Sequence, residues 1–229
     1  MSVEWRGAQA TAVGQGTKAG AAGQGAKAAA VGLGTALVVW STTAGLQIPG
    51  RRHPLIQAAL GTALALSVRA PLGLRGPALW SGLRWGALGA AAVTAGVAAT
   101  TAVPLVQAGM AARDLPTPQW KWLVFEIPLG TVWSEEAAYR GALGTLAETA
   151  FGPPVGRLLQ AMAFGLSHVV DARGAGEPVL GTVVVTGVAG WVFGWLAHRS
   201  GSMLAPALTH LAVNEAGAIA AGWVQRRAV

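Results

Sequence analysis

Two carboxylates and a guanidinium fall within six positions in the stretch Ser134-Glu135-Glu136-Ala137-Ala138-Tyr139-Arg140. On a helix, Glu136 and Arg140 are four residues apart, share a face and can pair. Glu135 is rotated by about 100° from Glu136 and points to a different neighbour. Tyr139, four after Glu135, can support that carboxylate. Two further pairs repeat the spacing, Phe164 with His168 and His210 with Asn214. Two carboxylates, two histidines and an asparagine on three helices can supply a general base, a water-orienting group and donors to a tetrahedral oxyanion. The same set can make a zinc site with an open position, with Glu135, His168 and His210 as ligands, although no HExxH helix is present. The bland alternative is a buried ion pair and hydrogen-bonded histidines that only fix helix packing.

These residues are embedded in an apolar chain. Of 229 residues, 53% are hydrophobic and only 11% charged, against about 25% charged in soluble domains. The composition therefore predicts an all-α, polytopic transmembrane bundle of about seven spans at ~20 residues each. Ionisable groups at membrane depth are expensive, which makes the cluster a functional-site candidate. The net charge of +7 comes from single or paired Lys and Arg near the ends of apolar runs, as loop anchors do. No basic stripe or binding motif points to nucleic acid. The absence of cysteine excludes disulfides and cysteine-ligated metals.

Residues 1–27, rich in Ala, Gly, Gln and Thr, hold too little apolar surface to offset ordering entropy and read as a disordered tail. Residues 28–229 form the membrane bundle. Its spans are expected at 28–48, 55–72, 83–106, 155–170, 179–197 and 202–224, with loops at 73–81 and 171–178. Between the third and fifth, an apolar segment at 120–133 is interrupted by Pro128, and helix resumes by Thr131 to carry the cluster to Ala150. Pro104 is expected to kink the third span. Gly190 and Gly194 form a GxxxG pair for close helix packing. Near-equal Lys and Arg counts on the two sides leave orientation open. Glu126 and Glu215 have no assigned role, and His53 and His198 lie in loops beside Arg. Ser134, Ser167 and Ser202 lack a credible triad.

The ordered set Glu135-Glu136-x-x-x-Arg140, Phe164-x-x-x-His168 and His210-x-x-x-Asn214 resembles the three-motif pattern of the CPBP intramembrane proteases. That family includes the type II CAAX prenyl endopeptidases and the Abi-like bacteriocin-immunity proteins. The resemblance covers about residues 118–218. It implies a helical membrane fold with a polar cavity, in a bacterial cell membrane, and hydrolysis of a peptide or membrane-protein substrate by activated water. By motif, Glu135 is the base, His168 helps hold the water, and His210 and Asn214 stabilise the oxyanion. Glu136 and Arg140 are the supporting pair, with Tyr139 and Phe164 beside them. The family is commonly labelled metalloprotease, so zinc is the alternative to a metal-free scheme. Against the endopeptidase stand a catalytically silent scaffold or immunity-type binding protein, and a small transporter with a Glu135–His168 proton relay. No inverted repeat supports the transporter.

Overall fold

The computed structural model describes residues 4–43, 46 and 48–227, with side chains from residue 23. The chain is all-helical, 83% helix, with no strand among the described residues. Ten α-helices are α1 (Glu4–Thr42), α2 (Pro54–Ser67), α3 (Gly76–Thr100), α4 (Pro104–Ala111), α5 (Gln119–Lys121), α6 (Gly144–Phe151), α7 (Pro153–Ser167), α8 (Val169–Gly174), α9 (Val179–Ser200) and α10 (Leu204–Arg227). Two π-helices, π1 (Trp122–Trp133) and π2 (Glu136–Leu143), lie between α5 and α6.

Several boundaries differ from the hydropathy reading. Helix α1 starts at Glu4, inside the stretch read as a disordered tail, because Ala and Gln favour helix and no proline stops it there. Helix α3 starts at Gly76 within the expected loop, with Pro77 in its first turn, where a missing N–H costs nothing. At Pro104 the chain bends by 97° into the separate helix α4. Pro128 does not break its segment. The helix passes through it in π geometry, whose wider turn accommodates a residue that cannot donate to the ladder.

Among the described residues, one helix, Val179–Ser200, is long and apolar enough by itself to cross a membrane. The bent pair Gly76–Thr100 and Pro104–Ala111 passes only when taken together, and Pro54–Ser67 is a shorter apolar helix. Of the other apolar runs, α7 is 15 residues long, and the run from Gln119 to Phe151 is divided among α5, π1, π2 and α6. The exterior is apolar all the same: Leu88, Leu105, Val124, Leu158, Leu180 and Val185 are exposed. The interior holds Glu136, Arg140, Gln160, Thr209 and His210.

Helix α3 packs along α10, α7 along α9 and α6, and α2 along π1 and π2. Two glycines let backbones meet beside the polar interior. A Cβ on Gly61 would lie 2.6 Å from the Ser134 carbonyl oxygen, so α2 touches the chain one residue before Glu135. A Cβ on Gly165 would lie 2.6 Å from the Val183 oxygen, so α7 meets α9 one turn before His168. The largest core cluster, with Tyr139, Leu143, Phe164, Phe193, Leu196 and Ala205, joins π2, α7, α9 and α10.

Candidate active site

The two adjacent glutamates have different surroundings. Glu136 is fully buried, and its Oε1 takes two partners. The Nδ1–H of His210 donates to it at 2.8 Å, and Arg140 Nη1 lies 3.2 Å away. The Arg140 contact is an ion pair outside hydrogen-bonding direction, because all three guanidinium nitrogens lack a hydrogen-bond partner. The guanidinium also lies 3.9 Å from the Phe164 ring centre and 4.9 Å from that of Phe193, a cation–π arrangement in a dry interior. Glu135 is 29% exposed at its side chain, and its Oε2 faces His210 Nε2 at 3.9 Å. That oxygen makes no hydrogen bond, and a gap beyond 3.5 Å is one a water can bridge.

His168 caps the C-terminal end of α7, where the backbone leaves helical geometry. Its Nδ1 lies 2.8 Å from the Phe164 carbonyl. A carbonyl only accepts, so the proton sits on Nδ1 and the Nε2 lone pair is free to accept. Ser167 Oγ is 3.3 Å from the same nitrogen and donates to the same carbonyl at 2.8 Å. Phe164 is the hub of the site. Its ring centre lies 4.7 Å from that of His168, 6.0 Å from His210 and 5.1 Å from Tyr139.

Around this hub the structure brings together Glu135, Glu136, Arg140, Tyr139, Phe164, His168 and His210. The remaining expected contacts are looser. Among the described residues, His168 makes no hydrogen bond to Glu135. Tyr139 packs on Phe164 and does not bond Glu135, because its ring is turned into the core. Asn214 lies one turn beyond His210, and its amide donates back to the His210 carbonyl at 3.2 Å. Glu126 is paired with Lys121 at 3.3 Å. Among the described residues no three His, Asp or Glu side chains converge closely enough to hold a metal ion. A Glu135–His168–His210 zinc set therefore does not fit the side chains as they stand.

Two residues and one contact are not announced by the motif pattern. Phe193 stacks on His210 at 4.9 Å and 24°; its place between Gly190 and Gly194 is the signal that could have found it. Ser167 fixes the His168 ring, as its position next to that residue could suggest. The His210–Glu136 bond joins residues 74 apart in sequence, and no local spacing announces it.

The structure thus places a buried acid–histidine cluster inside a helical bundle whose exterior is apolar. Residues 117–216, under half of the chain, are similar to the family model described as Type II CAAX prenyl endopeptidase Rce1-like. Comparison with curated proteins and with solved structures gives no match.

Proposed function

We propose that the protein is an intramembrane endopeptidase in which Glu135 is the general base. The observation that carries this reading is the unequal pair. Glu136 is fully buried, with Arg140 and His210 both on its Oε1, whereas Glu135 is partly exposed and faces a histidine nitrogen across a 3.9 Å gap; each glutamate has an Oε2 without a hydrogen-bond partner. A water held between Glu135 and the acceptor Nε2 of His168 loses a proton to Glu135 as its oxygen attacks the scissile carbonyl carbon. The oxyanion then receives hydrogen bonds from His210 Nε2, once protonated, and from the second amide hydrogen of Asn214. Collapse of the intermediate breaks the C–N bond, and Glu135 returns the proton to the leaving amine. No step requires a metal.

The chain would lie in the bilayer with about seven crossings, formed by α1, α2, α3, the π1–π2–α6 run, α7, α9 and α10. Exposed large apolar side chains on these elements, such as Trp40, Leu60, Leu88, Val124, Leu158, Val188 and Ile219, support that disposition. The substrate is then a peptide segment reached from the membrane. The family's name adds a prenylated C-terminus as one such segment.

Membrane proteomics of protein termini, comparing cells with the wild type and with Glu135→Gln, tests the reading. New termini that depend on Glu135 are expected. Identical termini in the two strains, with both proteins folded and present, would leave a silent scaffold or binding protein instead.

A further inference from the structure

A cavity of about 240 Å³ lies behind the acid–histidine cluster, with several charged and polar side chains in a largely apolar lining. Arg140 lines it, but Glu135, His168 and His210 do not. Arg157 and Gln160 of α7, Glu148 of α6 and His198 of α9 also line it, with the hydroxyl residues Thr145 and Ser202. Arg140 thus has Glu136 on one side and this cavity on the other.

The cavity walls carry hydrogen-bonding groups that the protein does not satisfy. Arg140 Nε, Nη1 and Nη2 and Arg157 Nε are buried donors without a hydrogen-bond partner, and Gln160 Oε1 is a buried acceptor without one. Arg140 and Gln160 are both more than nine-tenths buried. Gln160 is fixed by its amide, which donates to the Gly190 carbonyl at 3.0 Å. The Arg157 guanidinium lies 5.7 Å from the Trp191 ring centre and forms no ion pair among the described residues. The acid in the cavity, Glu148, is 3.6 Å from His198 at the half-exposed mouth. Buried polar groups are almost always satisfied by something. Water could fill the space, at ~30 Å³ each, but it would not balance the Arg157 charge.

We infer that this cavity is a binding site for a phosphate group. Two arginines lining one cavity, Arg140 from π2 and Arg157 from α7, suit an oxyanion, which arginine holds with strong, directional hydrogen bonds. The free Gln160 oxygen asks for a donor, and a phosphate that keeps one O–H supplies it. The mouth opens between the ends of α6 and α9, where either a lipid headgroup or a soluble phosphate can enter. An occupant would share Arg140 with Glu136, and so would touch the residue that supports the acid–histidine cluster from behind. The site stands whether or not the hydrolytic reading is correct.

The test is calorimetric titration of the full chain in a non-ionic detergent with inorganic phosphate, against chloride at equal ionic strength. A second arm uses nanodiscs of phosphatidylcholine with and without phosphatidic acid, reading thermal stabilisation. Saturable phosphate binding identifies a soluble anion site, and stabilisation by phosphatidic acid alone identifies a lipid headgroup site. In whichever arm binds, Arg157→Met, which keeps the stem that packs on Gly194, is expected to weaken binding at least ~10-fold. Glu148→Gln, at the mouth, is expected to tighten it about 2- to 5-fold and gives a second reading if Arg157→Met does not fold. No saturable binding in either arm, equal binding of chloride, or affinities unchanged by these substitutions would overturn the site.

Discussion

Glu135 and Glu136 are neighbours in sequence and differ in almost everything else. On the Glu136 side the side chains are sealed: carboxylate, guanidinium and imidazole hold one another against Phe164 and Phe193. On the Glu135 side a carboxylate oxygen and a histidine nitrogen face each other across a gap. The difference arises from one residue of helical rotation. It sets the Glu136 Oε1 against Arg140 and His210 Nδ1, and leaves Glu135 partly exposed beside His210 Nε2. A closed network stabilises and positions; an open pair of polar atoms can take a reactant. The account assigns structure to one side and chemistry to the other, so substitutions on the two sides should give different signatures.

The largest stability effect belongs on the sealed side. Arg140→Ala leaves Glu136 buried without its guanidinium, and the expected loss is about 3–5 kcal/mol. Chemical or thermal unfolding in detergent measures it, and a variant as stable as the wild type would break the comparison. Next comes the contact that sets α7 against α9. Gly165→Leu drives a side chain into the Val183 carbonyl and Gly187, with an expected cost of about 1–3 kcal/mol. If the fold survives, activity should fall further than stability, because His168 follows one turn later. Ser167→Ala should be milder. Losing one support of the His168 ring costs ~1 kcal/mol, read as a several-fold drop in kcat with a nearly unchanged melting temperature. The smallest expected effect is that of strong chelation, which should leave activity intact. Loss of activity with chelator and its return with added zinc would restore the metal scheme.

The two parts of the chain were not equally legible. From residue 117 onward, fixed four-residue spacings mark helix faces, and the polar types at Glu135, His168 and His210 stand out against an apolar background. His168 and His210 lie against the Phe164 ring, and Glu135 lies 3.9 Å from His210. Spacing cannot say which way a side chain turns when a nearer acceptor exists. Asn214 finds its own helix carbonyl, and Tyr139 turns to Phe164. In the first half only hydropathy was available, and it misplaced the starts of α1 and α3 and underestimated the bend at Pro104. Helix ends are set by proline position and capping more than by apolarity. The cavity behind the cluster was invisible for a related reason. Arg157, Gln160 and His198 form no motif, and only the packing of α6, α7 and α9 unites them.

The central claim is that the two glutamates do different work. The direct measurement is peptidase activity and melting temperature, in one preparation each, for Glu135→Gln and Glu136→Gln. Glu135→Gln should lose activity at least ~100-fold, the scale of a lost general base, while melting like the wild type. Glu136→Gln should melt lower, since its charge is what holds Arg140 and His210. An active Glu135→Gln enzyme, or two variants with the same loss of stability, would contradict the account.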